Sequence, residues 1–128
     1  MSEQPSAVRA WHAVVESRDL AQLDRVLADD VVFRSPAVFA PQEGKELTTR
    51  YLRGALAVLG PTLHYTEEWS GSSSAVLEFE AQLDGLYVQG VDLLRWDDDN
   101  RLTSFTVMVR PMRSLAKLVE LMQAQLTR

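Results

Sequence analysis

From Thr62 to Val109 the chain reads as four extended segments with short connections, and that pattern leaves few folds open. The spacing predicts strands at Thr62–Trp69, Ala75–Leu83, Leu86–Trp96 and Leu102–Val109. The connections are a Gly/Ser-rich stretch ending at Ser74, the dipeptide Asp84-Gly85, and Asp97–Arg101. Connections this short join antiparallel neighbours, because parallel strands need a crossover of a dozen or more residues.

The segment Ala75–Leu83 alternates cleanly. Leu77, Phe79, Ala81 and Leu83 share one face, and Glu78, Glu80 and Gln82 share the other. One face is therefore core and the other wet. The next segment puts Val88, Gly90, Asp92, Leu94 and Trp96 on one face and Tyr87, Gln89, Val91, Leu93 and Arg95 on the other. In the last, Phe105, Val107 and Val109 oppose Thr106, Met108 and Arg110. The middle of the sheet thus carries apolar groups on both faces. A second copy of the chain is the simplest cover for the outer face, and a two-fold homodimer is the expectation.

The first half reads as helical. Ser6 is expected to cap a helix from Ala7 to about Ser17, with Val8, Trp11, Val15 and either Ala7 or Val14 on one face. Asp19 is expected to cap a second helix with Leu20, Leu23, Val26 and Leu27 inward, ended by Asp29-Asp30. Val31–Phe33 reads as a short strand stopped by Ser35-Pro36. Residues 35–44 form a loop whose Val38 and Phe39 suggest that it folds over something. A third helix is expected over Lys45–Leu59, with Leu47, Tyr51, Ala55 and Val58 as its stripe and Gly60-Pro61 as its end. After Pro111 a last helix runs from about Arg113 to Leu126, buried through Leu115, Leu118, Val119, Met122 and Leu126.

Helices followed by an antiparallel sheet make an α+β domain, here one domain spanning residues 1–128. Long strands wrapped round a small helical layer must curve, and a curved sheet closed by helices encloses a pocket at its open end. The net charge of −5 argues against nucleic acid or an anionic membrane as partner. The absence of cysteine excludes disulfides, thiolate metal sites and a thiol nucleophile. No apolar run approaches the roughly 20 residues of a membrane span, and Met1–Ser6 lacks a signal pattern, so a cytoplasmic protein is expected.

Asp92 is the informative residue. Its same-face neighbours Gly90 and Leu94 carry no charge, and a carboxylate there is costly unless paired, hydrogen-bonded or protonated. A neutral aspartic acid in an apolar pocket can donate a hydrogen bond to a substrate oxygen, and Gly90 would leave room for that ligand. The alternative is a structural aspartate, paired to an arginine such as Arg34 or Arg53 or capping a loop.

Several strings carry a family resemblance. They are Asp19-Leu20; Ala28-Asp29-Asp30 followed by Val31-Val32-Phe33 and Ser35-Pro36; Gly44 before the third helix; and Val91–Asp97 before the turn to Arg101-Leu102. With the order of elements, they resemble the nuclear transport factor 2-like superfamily, which includes ketosteroid isomerases and SnoaL-like polyketide cyclases. The resemblance spans about residues 6 to 110. It implies a cone of helices against a curved antiparallel or mixed sheet, commonly dimeric through that sheet. Carried over residue by residue, it places the isomerases' oxyanion-binding aspartic acid on Asp92 and their general-base aspartate on Ser35. Their oxyanion-binding tyrosine falls on Trp11, and a pocket aromatic on Tyr51. Ser35 cannot serve as the base at neutral pH, and Trp11 can donate one hydrogen bond but cannot transfer a proton.

The resemblance therefore implies a pocket lined by Trp11, Phe33, Ser35, Tyr51, Val88, Gly90, Asp92, Phe105, Val107 and Val109, holding a small apolar molecule. Any reaction would be cofactor-free proton chemistry with Asp92 as acid or hydrogen-bond donor. The alternative is a non-catalytic binding or dimerisation domain, including one whose cone is filled by its own aromatics. The final helix would cover the pocket mouth or extend the dimer. No metal is expected: His12 and Glu16 supply too few ligands, and Asp97–Asn100 lacks the glycine and distant glutamate of a calcium loop. Glu67, Glu68, His64 and Tyr65 stay open, since the register decides which of them face inward.

Overall fold

The computed structural model describes residues 4–127. Within them, helix α1 (Ser6–Ser17) is followed by a 3-10 turn (Leu20–Gln22), a single-turn helix α2 (Leu23–Val26) and strand β1 (Leu27–Arg34). Strand β2 (Gln42–Glu43) and helix α3 (Lys45–Leu59) precede β3 (His64–Ser70), β4 (Ser74–Leu83), β5 (Leu86–Trp96), β6 (Leu102–Arg110) and α4 (Met112–Leu126). The sheet has the order β2-β1-β6-β5-β4-β3. Strand β1 pairs antiparallel with β2, the four strands β3–β6 form an antiparallel meander, β1 lies parallel to β6, and β2 and β3 are the two edges. The sheet is thus mixed, and the fold is the expected α+β cone with an additional C-terminal helix.

The turns follow from local chemistry. Asp84 (φ 49°) and Gly85 (φ 81°) both lie in the left-handed region, which is the geometry a two-residue hairpin needs. At the β5–β6 turn, Asp97 Oδ1 accepts from the backbone N–H groups of Asp99 (2.9 Å) and Arg101 (3.1 Å). That aspartate organises a turn, and no cluster able to hold a metal occurs among the described residues.

Four local expectations need correction. Ser6 is the first helical residue rather than the cap; Pro5 precedes the helix, and the Ser6 hydroxyl accepts from Arg9 instead. The second helix stops at Val26, and Asp29-Asp30 lie in β1, because Leu27, Val31 and Phe33 are drawn into the core as a strand. The β1–β6 register breaks between Leu27 and Val32, which lets the two aspartates bulge into solvent. The buried stripe of α3 is Thr48, Leu52 and Leu59, rotated one position from the expected one. In the loop after β1, Phe39 is fully exposed and Val38 is exposed. The loop turns Ser35 and Pro36, not its large apolar groups, toward the interior.

Two core clusters fill the cone. One gathers α1, β1 and the middle of the sheet around Trp11, Phe33, Leu77, Leu94 and Phe105. The other gathers Phe79, Ala81, Val88, Leu59, Leu118 and Met122 beneath α3 and α4. Full burial of each such aliphatic or aromatic side chain contributes about 1.5–3 kcal/mol. Tyr51, Tyr65 and Val107 pack against both clusters, and the space between the clusters is where a pocket opens.

Candidate functional site

A narrow hollow lies between the two clusters. It measures about 500 Å³ counting its mouth, of which about 40 Å³ is wide enough for the centre of a water-sized sphere. Its wall is almost wholly apolar, built from Trp11 on α1, Phe33 on β1, Phe105 on β6 and the apolar faces of α3 and α4. Polar groups reach it at few points: Asp92, Tyr65 and the Trp11 indole on one side, and Ser35 from the β1 loop.

Asp92 sits at the centre of β5, opposite Leu77 on β4 and Val107 on β6. It is buried, and it forms no ion pair among the described residues. The arginine alternative does not hold: Arg34 donates to Ser104 (3.1 Å) on the other face of the sheet, and Arg53 is exposed. What the carboxyl has instead is a phenol. The Tyr65 hydroxyl donates to Asp92 Oδ2 at 2.6 Å, and the Trp11 indole N–H donates to the Tyr65 oxygen at 2.8 Å. Burial pushes the Asp92 pKa up to about 7, partly offset by the hydrogen bond from Tyr65. Burial and the neighbouring Asp92 raise Tyr65 well above the ordinary phenol range, so it stays protonated as a donor. Asp92 Oδ1 accepts no hydrogen bond from the described residues and is the carboxyl oxygen left for a ligand.

Tyr65 was among the residues whose orientation the sequence left open. A register break between Tyr65 and Glu67 decides it. Tyr65 and Glu68 turn inward opposite Phe79 and Leu77, while His64 and Glu67 point out. Glu68 stops short of the hollow. It pairs with His12 Nε2 at the rim and accepts from Gln4 at 2.9 Å, and the His12 ring lies edge-on to Tyr65 at 4.9 Å. His12 is thus half-buried in a hydrogen-bonded contact rather than on the open surface.

Of the ten expected lining residues, the hollow brings together Trp11, Phe33, Ser35, Asp92, Phe105 and Val107. Tyr51, Val88, Gly90 and Val109 are not on its wall. Tyr51 leans on Phe33 with ring centres 6.1 Å apart. Val88 and Val109 belong to the packing beneath α4. Gly90 makes room for protein rather than ligand: a Cβ there would lie 2.9 Å from Phe79 Cε2 and 2.5 Å from the Met108 carbonyl oxygen. The lining residues absent from the expected pocket are Tyr65 from β3, Phe79 from β4, which alternation placed only in the core, Leu52, Ala55, Leu56 and Leu59 from α3, and Leu118 and Met122 from α4.

Comparison with known proteins agrees with this architecture. The SnoaL-like domain family matches residues 8–105. A search of curated proteins returned no match. Among solved structures, a steroid delta-isomerase from Pseudomonas aeruginosa superposes with a TM-score of 0.90 and 36% identity, over 95% of this chain and 90% of that one. An uncharacterised bacterial protein with a cystatin-like fold from Silicibacter pomeroyi gives 0.87 and 23%, over 94% and 84%. A protein with a ketosteroid isomerase-like fold from Catenulispora acidiphila, solved with trimethylamine, gives 0.67 and 19%, over 91% and 95%. The last two share the fold. No helix among the described residues is long and apolar enough to cross a membrane.

Proposed function

Since the chain belongs to the SnoaL-like domain family, we propose that it binds a small apolar molecule bearing one oxygen, held by Asp92 and Tyr65 at the polar side of the hollow. The observation that carries this reading is the buried Asp92 carboxyl, which has no ion pair among the described residues and whose Oδ1 accepts no hydrogen bond from them, on a mostly apolar wall. With a pKa of about 7, this acid is present in both forms near neutrality. Its neutral form donates to a carbonyl or hydroxyl oxygen, and its ionised form accepts a proton from a carbon or oxygen acid. A cofactor-free isomerase- or cyclase-type proton transfer is the chemistry this arrangement supports. Asp92 is the acid or hydrogen-bond donor, Tyr65 holds its other oxygen, and Trp11 orients Tyr65. The same fold as a solved steroid delta-isomerase supports the general class, while Ser35, where the family resemblance would put the isomerases' base, supports a different proton route.

Ser35 also favours a second reading, binding without turnover. Native mass spectrometry of purified protein, followed by titration with phenol and 2-cyclohexenone watched by NMR, tests the pocket itself. Shifts at Trp11, Tyr65 and Phe105 that vanish in Asp92→Asn support the reading. Saturating probe with no shift at those residues removes it. Proton exchange into 2-cyclohexenone in heavy water separates catalysis from binding.

We infer further that two copies pair through the outer sheet face. Trp69, Tyr87 and Met108 stand exposed there, beside half-buried Val76, Val91 and Leu93. Charge is divided across the same face: Glu67, Glu78 and Glu80 lie on β3 and β4, and Arg34, Arg95 and Arg110 on β1, β5 and β6. A two-fold axis running along the strands lays the acidic half of one copy on the basic half of the other, with the apolar centre between.

A further inference from the structure

The hollow has a wall that the family match does not include. The match ends at residue 105, while Leu118 and Met122 of α4 close the side of the hollow beneath α3. Helix α4 is not draped loosely over that side. Near its start, the Ser114 hydroxyl donates to the Tyr87 carbonyl of β5, and Lys117 Nζ lies 3.1 Å from Asp84 Oδ2 at the β4–β5 turn. At its end, Arg50 of α3 donates to the Leu126 carbonyl at 2.8 Å. Leu118 and Met122 fall between these tethers and are themselves buried. Side chains held at both ends of their helix form a fixed stop rather than a lid.

The room left in front of that stop is small. A dry apolar cavity that takes up benzene measures about 150 Å³, against about 40 Å³ here, so even a single ring enters by pressing the wall outward. Each further ring demands more room from the wall that α4 holds in place. We propose that α4, through Leu118 and Met122, sets ligand size in this protein, selecting a one-ring or short-chain oxygen compound over fused-ring molecules. This rests on the binding reading above and narrows its ligand class.

The test is calorimetric titration of the full chain with phenol, 2-naphthol and 2-anthrol. Larger aromatics gain apolar contact and bind more tightly to an open pocket, so the order of affinities is diagnostic. The wild type is expected to hold phenol more tightly than 2-naphthol by about tenfold or more, and to bind 2-anthrol more weakly still. Met122→Ala is expected to reverse the phenol–naphthol order, and Met122→Val to move it part of the way in a smaller cavity change. Met122→Phe is expected to lose phenol. Circular dichroism checks that each variant is folded, and the valine and phenylalanine variants carry the test if the alanine variant is not. Wild-type protein that prefers 2-naphthol, or a phenol–naphthol ratio unmoved in the folded variants, overturns the assignment to α4. If phenol binds and Asp92→Asn abolishes it while the ratio stays put, only this inference fails. If no phenol binds, the pocket reading fails and this one with it.

Discussion

The ring of Phe79 occupies the space that a side chain at Gly90 would claim across the β4–β5 pair. The glycine therefore lets an aromatic wall of the hollow lie flat against the sheet. Gly90→Ala sets a methyl against both that ring and the Met108 carbonyl, and the carbonyl cannot swing aside. A loss of about 1–3 kcal/mol is expected. Urea denaturation with an unchanged midpoint would show that the strand pair relaxes freely.

Asp92 gives stability a pH dependence of definite sign. Its unfolded pKa lies near 3.8 and its folded pKa near 7, so the native state holds a proton that the unfolded chain has lost. Stability from this group is complete below about pH 4 and falls as pH rises through 7, by an amount on the order of 4 kcal/mol. Asp92→Asn carries no such proton. The variant is expected to gain on the wild type between pH 5 and pH 8, with the difference in unfolding free energy growing with pH. Parallel pH profiles for the two proteins would mean that Asp92 is ionised in the native state throughout.

Tyr65→Phe removes two hydrogen bonds at once, leaving the Trp11 N–H and Asp92 Oδ2 without their partner. The expected cost is about 1–3 kcal/mol for each buried group left unsatisfied, less whatever water enters the hollow. Because the Tyr65 bond holds the Asp92 pKa down, its loss sends that pKa above about 7. Carbon-13 NMR of the labelled aspartate carboxyl reads this directly. A downward shift in the phenylalanine variant would contradict the assigned hydrogen-bond direction.

For the paired state, Leu93→Asp places a charge at the apolar middle of the outer face without touching the hollow. Sedimentation velocity is expected to show a dimer for the wild type and a monomer for the variant. Arg95→Glu is expected to weaken the dimer, and less so at high salt, because rim charges are screened. A wild-type protein that remains monomeric at every accessible concentration would leave the outer face without a second copy.

The strands were legible because alternation and turn chemistry agree along Ala75–Leu83 and at Asp84-Gly85. Asp92 stood out because one carboxyl on an apolar face has no ordinary explanation. Tyr65 did not, since a register break directly after it, between Tyr65 and Glu67, sets its direction relative to the rest of the strand, and no periodicity encodes a break. Gly90 was misread for a related reason: an empty side-chain position says that something approaches, and only the neighbouring strand says what. The helix α2 expectation failed where four apolar residues fit a helical face and a strand end equally well. The wall made by α4 depends on how two distant helices pack, which one segment's pattern cannot carry.

The parallel pairing of β1 with β6 has a consequence for how the chain is made. Leu27 meets Leu102, and Phe33 meets Phe105, across some seventy residues of intervening polypeptide. Until the last strand leaves the ribosome, the earliest strand has no neighbour on that edge, and α1 has an unfinished surface to rest on. Nascent chains truncated before residue 102 should therefore engage holdase chaperones, and assembly should be late and slow relative to a helical bundle of this length.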